Sequence, residues 1–188
     1  MTNQTDDYYI RQVLEGDANA FTYLVKKYKD MVFTLALKIL QNREEAEEVA
    51  QDVFVKSYQS LSRFRGKSKF ATWLYSITYN ACMDVLKRKK RYIVPEAISP
   101  LNDSYNTQEE NALDRLIMKD RDETITHAVA QLQKEDQVIL LLYYFEEMSL
   151  KEISKVVHLS VANIKVKLHR SRKRLYALLE DNVLIKER

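Results

Sequence analysis

The chain reads as all-α: two small helical domains joined by a flexible linker, the C-terminal one containing a helix-turn-helix. Three observations predict this. Apolar residues recur at three- and four-residue steps through most of the 188 residues, with only 2 Gly and 2 Pro to interrupt them. Both prolines fall in the stretch 93–111, IVPEAISPLNDSYNTQEEN, where the periodicity stops. This divides the chain into a helical domain 1–93, a linker 94–111 and a second domain 112–188. Finally, Leu150 to Arg174, LKEISKVVHLSVANIKVKLHRSRKR, has the outline of a short helix, a three-residue turn and a longer basic helix.

In the first domain, Ala20, Phe21, Leu24, Val25 and Tyr28, then Val32, Leu35, Ala36 and Ile39, predict two apolar-faced helices or one long bent one. Asn42 interrupts the pattern and can cap the next helix. The first turns of that helix carry Glu44, Glu45, Glu47 and Glu48, where the positive end of the helix dipole favours acids. Its apolar face is Ala46, Val49, Ala50, Val53 and Phe54, continued by Leu61. Glu48, Asp52, Val55, Lys56 and Gln59 lie opposite. That outer face is either simply solvated or a partner surface, the second reading resting on Val55 among charges. A basic loop, Ser62 to Phe70, turns at Gly66. The last helix of the domain, about 71–90, turns Phe70, Trp73, Leu74, Ile77, Ala81 and Val85 to the core. Tyr75, Tyr79 and Met83 share another flank, with Asn80 beside them. They form a platform for unstacked bases next to Arg63, Arg65, Lys67, Lys69 and the run Lys87 to Arg91, or else they complete the helix packing.

The linker 94–111 has 18 residues and spans at most ~60 Å when extended. The second domain opens with a helix bearing Leu116, Ile117, Thr124, Ile125, Ala128 and Val129. Another follows through Val138, Ile139, Leu141, Leu142, Tyr143 and Phe145. In the helix-turn-helix, Ile153, Val156 and Val157 form the apolar stripe of the first helix, and Ser160 ends the turn as a cap. Val161, Ile164, Leu168, Leu175 and Leu179 anchor the second helix. Lys165, Lys167, His169, Arg170, Arg172, Lys173 and Arg174 fill its other faces, which suits entry into a DNA major groove. Neither domain is large enough for a thick core.

The charge distribution supports a polyanionic partner. The formal net charge is only +3, but 1–93 has a surplus of five positive charges, 94–160 a deficit of seven and 161–188 a surplus of five. The lone Cys82 has no intrachain disulfide partner, and no Cys/His spacing suits a metal site. His127, His158 and His169 are too scattered to suggest a catalytic set. With no nucleophile arrangement, acid–base pair or phosphate-cradling glycine loop, the chain is not expected to be an enzyme or to need a cofactor. MTNQTDDYY lacks the parts of a secretory signal and no apolar run is long enough to span a bilayer. The expectation is a cytoplasmic protein without direct membrane insertion.

Two blocks carry a family resemblance: REEAEEVAQDVFVKSYQSLSRFRGKSKFATWLYSITYNACMDVLKRKKR, Arg43 to Arg91, and AVAQLQKEDQVILLLYYFEEMSLKEISKVVHLSVANIKVKLHRSRKRLYALL, Ala128 to Leu179. Together, in this order, they resemble the extracytoplasmic-function group of bacterial RNA polymerase sigma factors, within the sigma-70 family. The resemblance implies an alternative sigma factor that binds core RNA polymerase, recognises −35 and −10 promoter elements and promotes DNA opening. It implies docking on the polymerase through Glu48, Asp52, Val55 and Lys56. Arg65, Lys67, Ser68, Lys69, Phe70, Tyr75, Tyr79 and Asn80 would bind the opened −10 element. Ser160, Ala162, Asn163, Lys165, Val166, Lys167, His169, Arg170, Arg172 and Lys173 would bind the −35 element. Trp73 matches a position that braces the fold.

The implied partners are core polymerase, promoter DNA and an anti-sigma factor, membrane-anchored in many members, that holds the sigma factor inactive until a stress signal releases it. Such a partner would hold this chain at the inner face of the membrane. The family usually has Gly where His158 stands, so a left-handed backbone is expected there. Pro is common where Gln133 stands, and Asn163 and Val166 replace a frequent Thr and Ser. Because the second block also resembles other helix-turn-helix proteins, the rival reading is a transcriptional regulator that binds duplex DNA independently of polymerase.

Overall fold

The structure is a computed structural model that describes residues 5–92 and 124–186. Among these residues the ordered elements are helices, with no strand. The linker 94–111, and Leu116 and Ile117 of the expected opening helix, lie outside the described residues.

Helix α1 spans Asp6–Leu14 and begins with two acids in its first turn. Asp6 also fixes it to the next helix, accepting from the Tyr28 hydroxyl and pairing with Lys27 Nζ at 2.7 Å. After a short turn capped by Asp17, α2 runs through Phe21–Leu40 as one helix of 20 residues, so the choice between two helices and one is resolved. Its buried stripe includes Leu24, Val32, Leu35, Ala36 and Ile39. The helix stops because Gln41 turns left-handed, at φ 55°, and its N–H closes on the Leu37 carbonyl at 2.8 Å.

Asn42 then starts α3, Arg43–Gln59, its side chain accepting from the Glu45 N–H at 3.0 Å. Ala46, Val49 and Val53 are buried against α2 and α4, which spans Phe70–Tyr92. Where the loop turns back into α4, Gly66 adopts φ 66°. Phe64, Phe70 and Trp73 form an aromatic cluster with centroids 5.2–5.6 Å apart. Trp73 therefore braces the loop against α4.

Residues 124–130 form α5, and α6 (Lys134–Tyr144), α7 (Leu150–Val157) and α8 (Val161–Lys186) follow. Two expectations for this unit differ from the structure. Ile125 is 49% exposed, and Phe145 is 74% exposed because α6 ends at Tyr144 and the ring projects past its end, toward Lys38. Leu140, absent from the apolar stripe read from sequence, is buried. Helix α6 is covered on more than one side, by α7 and α8 of its own unit and by α2 of the other. The two units pack directly, chiefly α7 on α4, and their buried residues form one continuous cluster.

Candidate nucleic-acid interface

The helix-turn-helix is set by local hydrogen bonding. Ser149 and Glu152 make a reciprocal capping box at the start of α7. Those hydrogen bonds from Ser149, side chain first and then backbone N–H, hold the Glu152 carboxyl below its ordinary pKa. At the other end, His158 adopts φ 57°, ψ 33°, the left-handed conformation expected where the family usually has Gly. Ser154 Oγ donates to the Leu159 carbonyl at 2.6 Å, and Ser160 Oγ accepts from the Asn163 N–H at 3.2 Å. Ile153, Val156, Val157, Ile164 and Leu168 are buried where α7 and α8 pack on each other, on α6 and, for α7, on α4, which leaves α8 projecting its opposite face.

That face carries most of the residues expected at the −35 element. Ser160, Ala162, Asn163, Lys165, Val166, His169, Arg170, Arg172 and Lys173 are all exposed. Asn163, Val166, Arg170 and Lys173 follow one another at three- and four-residue steps and so share one outward stripe. Val166, 48% exposed among polar neighbours, has no packing role that would explain an apolar side chain there. Two cations are engaged elsewhere. Lys167 Nζ lies 2.6 Å from Glu135 and 2.8 Å from Asp136 in the first turn of α6. Burial alone would lower its pKa, but the two carboxylates outweigh burial and raise it. The Arg172 guanidinium sits 5.6 Å from the ring centroids of both Tyr143 and Tyr144.

In the N-terminal unit, Arg65, Lys67 and Lys69 are exposed on the Gly66 loop, with Ser68 half-buried. Phe70 is not available to a ligand: it is 3% exposed within the aromatic cluster and packs on Tyr28. Tyr75 and Tyr79 are 5% and 6% exposed, so both readings of them, base platform and packing surface, meet a face that is covered in this structure. Tyr75 donates its hydroxyl to the Glu146 carboxylate, and burial together with that charge raises its pKa. Burial and then Glu135 raise that of Tyr79. Asn80 Nδ2 is 3.1 Å from His158 Nε2, and Ser76 Oγ is 3.2 Å from the same nitrogen. No sequence pattern had connected Glu146 and His158 with this face, because each lies 71 residues or more from the side chains it meets there.

The outer face of α3 exposes Glu48, Asp52, Val55 and Lys56 together. Tyr58, 44% exposed one turn beyond Val55 and not singled out from sequence, extends its apolar part, and its ring also meets Phe21 edge-on. Asp52 and Lys56 also border a groove of about 420 Å³ whose other wall holds Asp84, Lys87, Arg88 and Arg91 of α4. Among the described residues there is no His, Cys, Asp or Glu group able to hold a metal ion, and no helix long and apolar enough to cross a membrane.

Comparison with known proteins agrees with this arrangement. Residues 24–92 match the family model for Sigma-70 region 2, and residues 122–175 match that for Sigma-70, region 4. The ECF RNA polymerase sigma factor SigW of Bacillus subtilis is 30% identical over 178 residues, covering 92% of this chain and 95% of the relative. The RNA polymerase sigma-H factor of Pseudomonas aeruginosa is 30% identical over 187 residues, 96% of each chain. In fold, the chain resembles CnrH in complex with the cytosolic domain of CnrY, at TM-score 0.66 and 22% identity, covering 95% of this chain and 99% of CnrH. It also resembles the sigma factor RpoE in complex with the anti-sigma factor NepR from Bartonella quintana, at TM-score 0.64 and 17% identity, covering 85% and 96%. With region 2 and region 4 matched in order and near-full-length relatives in the same group, the chain belongs to the extracytoplasmic-function sigma factors of the sigma-70 family.

Proposed function

We propose that this chain is an alternative sigma factor that binds core RNA polymerase, recognises −35 and −10 promoter elements and promotes DNA opening for initiation. The observation that carries this reading is the presence on one chain of a region 2 unit with an exposed, mixed apolar and charged α3 face and a region 4 unit with an outward-facing basic helix. Glu48, Asp52, Val55 and Lys56 dock on the polymerase. Asn163, Lys165 and Val166 read base edges of the −35 duplex, whereas Arg170 and Lys173 contact phosphates.

At the −10 element, Arg65, Lys67 and Lys69 hold the backbone, and Asn80 reads an unpaired base with Tyr75 and Tyr79 beneath it. Unstacking costs a few kcal/mol per step, offset by base capture and by polymerase binding. The chain performs no chemical step of its own and acts in the cytoplasm, where polymerase and promoter are found. The complexes of CnrH with CnrY and of RpoE with NepR support an anti-sigma partner for this chain too.

Adding the purified chain to core polymerase on genomic fragments tests the reading. Transcripts from discrete start sites, absent with core enzyme alone, are expected. Site-specific duplex binding without any such transcripts would favour the polymerase-independent regulator.

A further inference from the structure

Helices α3 and α4 leave a groove of about 420 Å³ between them. Its apolar part is Val49 and Ala81, both buried, and the half-buried Val85. Around these stand Lys56 of α3 and Lys87, Arg88 and Arg91 of α4, all exposed. Two exposed acids, Asp52 and Asp84, line the same groove. Only Lys87 finds one of them, as a loose pair with Asp84 at 3.9 Å. Among the described residues no carboxylate pairs with Lys56, Arg88 or Arg91. Four cations against two acids leave a local surplus of two positive charges beside an apolar floor.

The composition of the groove says what suits it. Asp52 and Asp84 would repel a phosphate backbone, whereas a protein segment carrying both signs of charge can meet acids and cations together. The apolar floor takes a side chain, which a phosphate backbone does not offer. Direction agrees: around α4, Ala81 and Arg88 lie about 160° and 180° from Tyr79, so the groove opens away from the tyrosines of the proposed −10 face. Asp52 and Lys56, finally, belong both to this groove and to the exposed face of α3 that includes Val55. A partner seated on that face therefore reaches the groove without a break.

We propose that the groove is the second half of the polymerase-docking surface, taking an amphipathic protein segment of core polymerase that carries acidic side chains. Arg88 and Arg91 pair with those carboxylates, and an apolar side chain of the same segment enters over Val49, Ala81 and Val85. Arginine suits the role because its planar fork of donors meets a carboxylate with two hydrogen bonds. The inference rests on the reading of Glu48, Asp52, Val55 and Lys56 as docking residues, and adds to them a helix that this reading leaves to promoter DNA.

The test uses the full chain with Arg88→Glu and Arg91→Glu together, titrated against core polymerase by fluorescence anisotropy. Both residues are exposed, so melting should stay close to that of the parent. Affinity for core polymerase should fall about tenfold or more. At saturating polymerase, open-complex formation on a promoter fragment should return to the parent rate. Unchanged polymerase affinity would overturn the inference, and a promoter-binding defect that persists at saturation would assign the two arginines to DNA phosphates instead.

Asp52→Lys, measured alongside, separates the two ways of failing. If it weakens polymerase binding while the arginine variant does not, the groove inference fails and the α3 reading stands. If neither variant weakens binding, the α3 reading fails and the inference fails with it. Should the double variant melt early, Arg88→Gln removes a single charge without reversing it. It should weaken polymerase binding by a smaller factor at unchanged melting, and no loss would count against the groove.

Discussion

Lys165 and Lys167 are two lysines on one reading helix, and replacing each with alanine should have opposite consequences. The helix turns them about 200° apart. Lys165 is exposed, whereas Lys167 is held between Glu135 at 2.6 Å and Asp136 at 2.8 Å, with side-chain exposures of 26%, 33% and 20% for the three residues. Hydrogen bonds to charged groups contribute about 1.5–3 kcal/mol when well buried, and exposed ion pairs below ~1 kcal/mol. At this intermediate exposure Lys167→Ala should cost about 1–2 kcal/mol. The cost stays modest because the two acids left behind occupy the first turn of α6, where the helix dipole still favours them.

For a chain of this length that lowers the melting temperature by roughly 2–8 °C. Lys165→Ala should leave melting within ~0.5 kcal/mol of the parent and change the preference at a base pair of the −35 element by ~1–3 kcal/mol. The assay pairs thermal melting with binding to randomised −35 duplexes at two salt concentrations. Lys173→Ala serves as a phosphate-contact control, expected to lower affinity across sequences and reduce the salt slope by ~1. An altered base preference in Lys167→Ala with unchanged melting would refute the reasoning, because it would place Lys167 in the groove and not on α6.

Three further outcomes are expected. Asp52→Lys should weaken binding to core polymerase, measured by co-elution or fluorescence titration, while melting stays nearly unchanged; equal losses in both would make the α3 face structural. Asn80→Ala should slow open-complex formation more than closed-complex binding, with pre-melted template restoring most of the rate; equal impairment on duplex and pre-melted template would confine Asn80 to helix support. Glu152 has a native pKa below its ordinary value, so its capping contribution is full above the ordinary glutamate range and is lost as pH falls through the lowered value. Glu152→Gln should therefore flatten the acid side of the stability–pH curve obtained by urea melts, and an unchanged slope would show that the capping box adds no pH-dependent stability.

Much of this protein was legible in its residues because its helices are amphipathic and its caps are local. The stripes Leu24–Val32–Leu35–Ile39 and Ile153–Val156–Val157, the Asn42 and Ser160 caps, and the basic face of α8 all follow from three- and four-residue spacing and from hydrogen bonds within a few residues. The left-handed turn at His158 was legible from the family's usual glycine there, a preference that reflects backbone sterics.

Periodicity reports that a helix face is covered and says nothing of what covers it. Tyr75 and Tyr79 could therefore be read as a platform for bases or as packing, and only the tertiary structure showed that Glu146 lies against Tyr75 and that Glu135 acts on Tyr79. Leu140 went unread because α6 is enclosed on more than one side, so its apolar residues follow no single stripe. Phe145 was misread because the helix ends one residue earlier. Lys167 and Lys165 are chemically identical in sequence. What separates them is the tertiary packing of α6 beside α8, which brings two carboxylates to one ammonium and leaves the other facing outward.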